Sequence, residues 1–318
     1  MNRLSRVFVA GADSLIGAAL LDLLPERGFL NLVGVGVYEP DLTDAVAVDD
    51  FFKKMRPEFV FLVGGKSGGI GLNRARPADL MLDNLRIATN VLDAAARSGV
   101  EKLLYLASSC AYPKLAPQPM RIASLLEGPV EPTSESYATA KLAGWKLCEA
   151  IRKQHGCRFI TGFPANAFGP YDDFGSDSGH VIPALIRRMH EAKQRGFHSV
   201  PIWGTGSPRR EFIYSNDLAE ACLFALKQYE GEAPINLGGG TEVSIADAAK
   251  VIAEVVGFRG TLEFDTSKPD GAPLKALDST VLLDMGWKPS TDFRTAIQET
   301  YRWYRSSIAL GVPLSRVA

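Results

Sequence analysis

The feature that most constrains the fold of this chain is the alternation of short apolar runs with helical patterns in its first half. Four apolar runs have the length of strands, at residues 6–10, 32–35, 59–63 and 102–107. The clearest helical pattern lies at residues 77–98, where apolar side chains recur every three or four positions. Strands that alternate with helices favour a parallel sheet covered on both faces. We therefore predict an α/β fold, a doubly wound parallel sheet of the Rossmann type, with further strands at 159–162 and 234–237.

The first apolar run ends in a glycine turn that is typical of a nucleotide-binding site. A strand, a tight turn and a helix N-terminus together place free amide groups and the positive helix end around a phosphate. The residues that this turn would bring to a cofactor are Gly11, Asp13, Ser14, Leu15, Ile16 and Gly17. The spacing is GxxGxxG with Ser14 at the middle glycine, which permits the turn but takes up part of the room for a pyrophosphate. Alternatively, Gly11 and Gly17 only allow a close packing of strand and helix.

A second motif pairs a tyrosine with a lysine on a predicted helix. The helix would be capped by Thr133 or Ser134 and would end near Gly156. Tyr137 and Lys141 stand at positions i and i+4, so their side chains rise from one face of it. Because a nearby ammonium stabilises a phenolate, we expect the pKa of Tyr137 to fall from about 10 toward neutrality. Tyr137 could then exchange a proton with an alcohol or a carbonyl, although this spacing also arises by chance on amphipathic helices.

Polar residues follow the fourth predicted strand. Ser108, Ser109 and Cys110 come directly after it, and ligands of such sheets bind beyond the carboxyl ends of the strands. We therefore expect these side chains to face the same crevice as Tyr137 and Lys141. Cys110 could equally be a buried core thiol, and either serine could merely end the strand.

Composition excludes several classes of protein. The chain has 318 residues and a formal net charge of −1, which does not suit a general nucleic-acid or membrane surface. No apolar stretch reaches the length that spans a bilayer, and the first residues lack the pattern of a secretory signal. The cysteines, Cys110, Cys148, Cys157 and Cys222, have neither CxxC nor zinc-type spacing. We therefore expect a cytoplasmic protein with free thiols and without a metal site.

Several motifs together resemble the extended short-chain dehydrogenase/reductases and, within them, the GDP-L-fucose synthase family. The Tyr137–Lys141 pair is generic to the superfamily, whereas Cys110, His180 and the Lys-Pro-Asp-Gly sequence are more specific. The matching segments, which cover nearly the whole chain, are residues 66–70, 108–119, 137–141, 180–185, 210–212 and 267–271. The resemblance implies epimerisation of GDP-4-keto-6-deoxy-D-mannose at C3 and C5, followed by reduction at C4 to GDP-L-fucose.

The resemblance also implies roles for single residues. The hydrogens at C3 and C5 are alpha to a ketone, so a base and an acid can remove and return them through an enolate. Cys110 matches the family's base and His180 its acid, although His180 alone would suit the start of a helix. Ser108 and Tyr137 would hydrogen-bond the C4 oxygen, Tyr137 would give it a proton, and Lys141 would support the phenolate.

Two further sets of contacts follow from the resemblance. For the cofactor they include, besides the glycine turn, Asp41, Leu42, Tyr137, Lys141, Pro164, Asn166 and His180. For the nucleotide sugar they are Ser108, Ser109, Asn166, Arg188, Trp203, Arg210 and Lys275. Cationic side chains suit a diphosphate, and Trp203 suits packing on a base or a sugar.

The chain departs from the family pattern where the ribose 2′-phosphate of NADPH would be held. Basic residues are typical there, but this chain has Asp13 and the sequence Val35-Gly36-Val37. A carboxylate repels that phosphate. We therefore keep NADP(H) as the cofactor that the family implies and predict that NAD(H) competes unusually well.

The predicted organisation has two parts. Residues 1–165 and 212–238 would form an NAD(P)-binding Rossmann domain, and residues 166–211 and 239–318 a smaller C-terminal substrate-binding lobe.

The resemblance implies a homodimer in which each subunit contributes two long helices. The small residues Ala140, Ala143 and Gly144 permit that packing but equally permit burial against the sheet.

Two alternatives to the implied function stay open. The same residues would serve an epimerase or reductase of another GDP-4-keto sugar, for example a heptose, because pocket shape decides that choice. A nucleotide-sensing protein would bind the cofactor without chemistry, but sensing needs no proton donor, so Ser108, Tyr137 and Lys141 argue against it.

Overall fold

The computed structural model describes residues 1–175, 179–268, 270–312 and 314 of the chain. The strands in this part of the chain are β1 (Val7–Ala10), β2 (Leu32–Val33), β3 (Phe59–Leu62), β4 (Lys102–Leu106), β5 (Arg158–Pro164), β6 (Asn166–Phe168), β7 (Ser199–Trp203), β8 (Arg209–Tyr214), β9 (Ile235–Leu237), β10 (Thr241–Ser244), β11 (Thr261–Asp265) and β12 (Leu274–Lys275). The α-helices are α1 (Leu15–Glu26), α2 (Ala45–Met55), α3 (Ile70–Ala75), α4 (Pro77–Arg97), α5 (Glu135–His155), α6 (Val181–Arg195), α7 (Ser215–Gln228), α8 (Ile245–Val256), α9 (Thr280–Asp284) and α10 (Phe293–Leu310).

The alternating first part of the chain folds into a parallel sheet. Its strands follow the order β2-β1-β3-β4-β5-β9, and every neighbouring pair is parallel. The chain starts in β1, moves outward to β2 and then returns to the other side of β1 with β3, so the strand order reverses between β1 and β3. Ligands of open α/β sheets bind at the carboxyl ends of the strands beside such a reversal. The predicted fold class is confirmed.

Helices cover the central sheet in two groups. Helix α1 packs beside α7, and α4 packs between α2 and α5. Every residue of β1, β3 and β4 is buried, as expected of strands with helices on both faces. This burial explains why the sequences of these strands are continuous apolar runs and do not alternate between apolar and polar residues.

Smaller sheets and three helices build the rest of the molecule. Strand β8 pairs with β6 and β12 in parallel and with β10 in antiparallel orientation, while β7 pairs with β11. Helix α8 packs on α6 and α10. A separate apolar cluster, centred on Phe168, Leu185, Met189, Ile252 and Tyr304, fills the space between these elements.

The two apolar clusters do not follow the sequence strictly. Strands β6 and β8 pack in the second cluster through Phe168 and Phe212, whereas Leu277, Leu282 and Trp287 join the cluster around the central sheet. The C-terminal third of the chain therefore contributes to both clusters.

Two local expectations needed correction. The second strand ends at Val33, because Gly34 has φ +72° and turns the chain out of the sheet. Ser134 stands at the start of α5 but its side chain makes no capping hydrogen bond, since a short 3₁₀ turn over Pro132–Ser134 leads into the helix. Gly156, with φ +70°, ends that helix as expected. Pro269 of the Lys-Pro-Asp-Gly sequence lies outside the described residues.

Two searches of the described residues gave negative results. None of their helices is long and apolar enough to cross a membrane. Among the same residues, no group of three or more His, Cys, Asp or Glu side chains is placed to hold a metal ion.

Candidate active site

The glycine turn after β1 packs closely against the segment that follows β3 and against helix α1. Gly11 has φ +97°, and a Cβ atom there would lie 2.1 Å from the Cα atom of Gly64. A Cβ atom on Gly17 would lie 1.9 Å from the carbonyl oxygen of Gly11. Ser14 caps the helix, because its Oγ accepts a hydrogen bond from the Gly17 amide at 3.0 Å and donates one to Gly11 O at 2.7 Å. Ser14 therefore stabilises the turn that a glycine would only permit.

A cleft of about 510 Å³ opens beside this turn, at the carboxyl ends of β1 and β3. Seven of the residues predicted for the cofactor line it, namely Gly11, Asp13, Ser14, Leu15, Asp41, Leu42 and His180. Ile16 and Gly17 are instead buried in the first turn of α1. Tyr137, Lys141, Pro164 and Asn166 are not part of the lining that the described residues form.

Glu39 lines the same cleft and was missed by the sequence analysis. Its carboxylate accepts hydrogen bonds from the amides of Gly11 at 2.6 Å and Ala12 at 3.2 Å. Burial raises the pKa of Glu39, the two amide hydrogen bonds oppose that shift, and the charge of Asp13 adds to it. A signal was present in the sequence, since an acidic residue about 20 positions beyond the glycine turn is typical of dinucleotide-binding folds.

Tyr137 and Lys141 lie on α5 as predicted, but the pKa of the tyrosine shifts in the opposite direction to the expectation. Lys141 is buried, its Nζ donates a hydrogen bond to Leu106 O at 3.2 Å, and it lies 5.9 Å from the centroid of the Tyr137 ring. Burial lowers the pKa of Lys141 to about 8. Burial raises the pKa of Tyr137, the charge of Cys110 adds to the rise, and a hydrogen bond with Ser108 counteracts it. The Tyr137 phenol is therefore protonated at neutral pH and suited to donate a proton.

Cys110 lies in a short 3₁₀ turn, Ser109–Ala111, that follows β4. Ser108 begins this turn, and its Oγ accepts a hydrogen bond from the Cys110 amide at 3.1 Å. Lys275, at the end of β12, places its Nζ 3.6 Å from the Cys110 sulfur. Burial raises the pKa of Cys110. The charge of Lys275, hydrogen bonds from Ser108 and Lys275, and the charge of His180 lower it by more than burial raises it, so the net shift is downward. The thiol is thus prepared to ionise.

His180 immediately precedes α6 and faces a buried carboxylate. Its Nδ1 lies 3.5 Å from Oδ1 of Asp172, whose side chain is only 4% exposed. The hydrogen bond with Asp172 raises the pKa of His180, burial opposes the rise, and the charges of Asp172, Cys110 and Asp173 add to it. His180 and Cys110 thus shift each other's pKa, which places an acid and a base in one electrostatic unit.

The residues expected to hold a nucleotide sugar are more dispersed. Arg188 donates to Pro201 O at 2.9 Å, and Arg210 donates to the carbonyls of Arg209 and Ala272, each at 2.7 Å. Trp203 is 66% exposed and available for stacking.

Two further predicted contacts have structural partners. Asn166 donates to Glu211 O at 2.9 Å, and Ser109 is buried. Two members of the predicted sugar-binding set, Ser108 and Lys275, contact Cys110.

Comparisons with known proteins agree with this geometry. The sequence model of the NAD dependent epimerase/dehydratase family matches residues 7–238. GDP-L-fucose synthase 1 of Arabidopsis thaliana is 47% identical over 307 residues, which cover 96% of this chain and 95% of the relative.

Solved structures give the same picture. A GDP-L-fucose synthetase from Naegleria fowleri, solved with bound NADP, superposes with a TM-score of 0.88 at 29% identity and covers 98% of both chains. A GDP-6-OMe-4-keto-L-xylo-heptose reductase from Campylobacter jejuni also superposes with a TM-score of 0.88, at 33% identity, over 96% of this chain and 99% of the other.

Proposed function

The chain belongs to the NAD dependent epimerase/dehydratase family, and from that premise we propose that it epimerises GDP-4-keto-6-deoxy-D-mannose at C3 and C5 and reduces C4 to give GDP-L-fucose. The observation that carries the proposal is that the pKa values of Cys110 and His180 shift in opposite directions beside a protonated Tyr137. A lowered thiol pKa, a raised imidazole pKa and a raised phenol pKa supply one base and two acids. The likeness to the Arabidopsis synthase supports the same choice of substrate.

Epimerisation uses the first two of these groups. The Cys110 thiolate takes the proton from the carbon next to the ketone, and the electron pair of the C–H bond passes into an enolate. The side chains of Ser108 and Tyr137 are hydrogen-bonded to each other. Both would donate a hydrogen bond to the enolate oxygen. His180, whose pKa is raised by its contact with Asp172, returns a proton to the opposite face of the carbon.

Reduction uses the Tyr137 phenol. A reduced nicotinamide cofactor, when bound, would supply the hydride for C4. Tyr137 would give its proton to the C4 oxygen. The Lys141 ammonium then stabilises the phenolate that is left, from the neighbouring turn of α5. The raised pKa keeps the phenol protonated until hydride reaches C4, and the alkoxide that would form there is the stronger base, so it takes the proton.

The cleft fits a dinucleotide cofactor. A Cβ atom at Gly11 would collide with the Gly64 backbone, so this turn requires glycine there, and Ser14 fixes the first turn of α1. Gly11, Ser14 and Leu15 would hold the pyrophosphate at the helix N-terminus. Asp41 and Leu42 would lie against the adenine.

We further propose that NADH competes unusually well with NADPH, the cofactor that the family implies. Glu39 and Asp13 both line the cleft, and a carboxylate at the position of Glu39 is typical of a contact with the ribose 2′-hydroxyl. Val37, 93% exposed at the end of the same loop, offers no charge to a 2′-phosphate. These features support NADH, whereas the NADP bound to the Naegleria enzyme supports NADPH.

A second candidate function is the epimerisation or reduction of another GDP-4-keto sugar. The heptose reductase from Campylobacter jejuni superposes as well as the Naegleria synthetase does. Both reactions need the same base, acids and hydride, so the choice between them lies in the shape of the pocket around the sugar. A nucleotide sensor without chemistry has less support, because it would not need opposite pKa shifts at Cys110 and His180.

The test is turnover of GDP-4-keto-6-deoxy-D-mannose in deuterated water, with NADPH and NADH compared in parallel. GDP-L-fucose with deuterium at C3 and C5 is expected, with a small rate ratio between the two cofactors. Cys110→Ser should abolish the label, while Cys157→Ser, a partly buried thiol outside the cleft lining, should leave it unchanged. Label without reduction would indicate an epimerase. The absence of both label and cofactor oxidation would refute the proposed substrate.

We propose three further properties in line with this function. The division into an NAD(P)-binding domain, residues 1–165 and 212–238, and a substrate-binding lobe is supported by the two apolar clusters, although parts of the last third pack in both. The four free cysteines, with an ionisable Cys110 among them, support a reducing, cytoplasmic setting.

The third property is a homodimer. The paired helices α4 and α5 support it, since Leu82 on α4 is 48% exposed. Ala140 and Gly144 are buried within the subunit, and a Cβ atom on Gly144 would meet the Tyr105 hydroxyl at 2.4 Å. Any dimer contact would therefore use other residues of these helices. Light scattering of the purified protein would give the mass directly.

A further inference from the structure

Strand pairing and hydrogen bonds of the neighbouring residue hold Lys275 opposite the Cys110 sulfur. In β12 it pairs with Arg210 of β8. The next residue, Ala276, accepts a hydrogen bond from the amide of Met120 at 2.8 Å, and its own amide donates to the Gln118 side chain at 3.0 Å. Gln118 and Met120 belong to the loop that continues from the Cys110 turn. The same segment of chain therefore carries the thiol and fixes the strand that carries the lysine.

Lys275 differs in its surroundings from the other cations of the region. The Arg210 guanidinium donates hydrogen bonds to the carbonyls of Arg209 and Ala272, and Arg188 donates to Pro201 O. The Lys275 ammonium instead has the Cys110 sulfur as its hydrogen-bond partner, at 3.6 Å. Both side chains are half-buried, so solvent screens their interaction only in part.

The groups that face Cys110 come from four elements. They are the Ser108 hydroxyl at the start of its own turn, Tyr137 on α5, His180 before α6, and Lys275 on β12. Burial alone would disfavour a thiolate here. Of the groups that oppose burial, Lys275 has the largest effect, ahead of Ser108 and of His180.

We propose that Lys275 is a positioning residue for the base of the reaction, because its ammonium pairs with the Cys110 thiolate and so maintains the form that removes a proton from carbon. The inference rests on the proposed function and deepens it. When the thiolate takes the proton, sulfur becomes the neutral thiol and the electron pair of the C–H bond moves to the enolate oxygen. The resemblance implies a contact with the nucleotide sugar for Lys275, and the geometry points to the sulfur instead.

The first test follows the reaction of Cys110 itself and does not depend on the substrate. The rate of alkylation of Cys110 by iodoacetamide is measured against pH by mass spectrometry of the peptide that contains it. In Lys275→Met the midpoint should move to higher pH, and alkylation at neutral pH should slow by about tenfold or more, since only the thiolate reacts. Lys275→Arg keeps the charge and should stay close to the unaltered protein.

Lys268 provides the matched control. It is an exposed lysine of the same lobe, and its Nζ lies 5.9 Å from the Trp203 ring. Lys268→Met removes the same charge and should leave the alkylation profile of Cys110 unchanged. Lys275→Gln, which keeps a polar side chain, is measured alongside in case Lys275→Met fails to fold, as judged by thermal unfolding.

The second test measures exchange of the C3 and C5 hydrogens in deuterated water. In Lys275→Met the acidic limb of the pH–rate profile, which reports ionisation of the base, should move to higher pH together with the alkylation midpoint, with little change in KM. An unchanged alkylation profile in both Lys275→Met and Lys275→Gln, with a raised KM, would overturn the proposal and make Lys275 a ligand of the diphosphate. If the unaltered protein exchanges no hydrogen, the proposed function fails, while the alkylation profile still decides the role of Lys275.

Discussion

The imidazole of His180 faces the buried carboxylate of Asp172, with 3.5 Å between Nδ1 and Oδ1. The contact fixes which ring nitrogen points inward and leaves the other nitrogen for the substrate. It also raises the pKa of His180, whereas Lys275 lowers the pKa of Cys110. The surroundings therefore shift the two pKa values in opposite directions, as the proposed roles of the imidazole as acid and the thiol as base require.

The first prediction concerns Asp172→Asn. Removing the carboxylate charge should lower the pKa of His180, because Asp172 is the main cause of its rise. The acid must be protonated to act, so the alkaline limb of the pH–rate profile should move to lower pH. Epimerisation at neutral pH should fall by up to about tenfold. The measurement is the rate of deuterium incorporation against pH.

Asp173→Asn is the matched control for this change. Asp173 contributes the smallest of the named effects on the pKa of His180, and its carboxylate accepts a hydrogen bond from the Gly175 amide. The same loss of charge one residue away should move the alkaline limb much less. Equal shifts in the two variants would mean that general charge, rather than the contact at Nδ1, sets the profile.

The second prediction concerns Tyr137→Phe. The phenol has a raised pKa and is the proposed proton donor for the C4 oxygen, so its removal should slow reduction by about a hundred- to ten-thousand-fold. Cys110 and His180 stay in place, and exchange at C3 should continue at a reduced rate. The expected product is therefore a deuterated keto sugar with little cofactor oxidation. Loss of exchange and reduction to the same extent would contradict this separation of roles.

The central fold could be predicted from the sequence because its signals are local. Apolar runs such as Phe59–Leu62 are strands buried on both faces, and the intervening helices show their own period. The glycine turn could be placed for the same reason, although the capping role of Ser14 needed the hydrogen bonds to Gly11 and Gly17.

The electrostatics of the site could not be predicted in this way. Lys275 and Cys110 are 165 positions apart in the chain, and no spacing rule connects them. The expected fall in the pKa of Tyr137 was wrong because the helical spacing showed the neighbouring Lys141 but not the burial of both side chains, which dominates. Asp172 was missed because its role depends on its contact with His180.

The third prediction concerns cofactor choice through Glu39→Gln. The glutamine side chain keeps an oxygen that can accept from the Gly11 amide but has no charge, so the turn should persist while repulsion of a 2′-phosphate falls. The ratio of kcat/KM for NADPH over NADH should rise by about tenfold.

Asp22→Asn provides the control for this third change. Asp22 is an exposed carboxylate on α1 that is not part of the cleft lining. Its neutralisation alters the net charge equally and should leave the cofactor ratio unchanged. An unchanged ratio in Glu39→Gln as well would show that Glu39 only supports the glycine turn.

The last prediction separates the two uses of Ser14, as a helix cap and as a wall of the cleft. In Ser14→Ala the amide of Gly17 loses its acceptor, and the free energy of unfolding should fall by about 1 kcal/mol, as measured by urea denaturation. In Ser14→Gly, which restores the glycine spacing, the loss should be only a few tenths of a kcal/mol, since water can reach the freed amide. If the serine side chain crowds the pyrophosphate, Ser14→Gly should also lower KM for the cofactor while Ser14→Ala does not. Equal KM values in all three proteins would mean that the serine takes no room from the cofactor, because its hydroxyl stays turned toward Gly11 O.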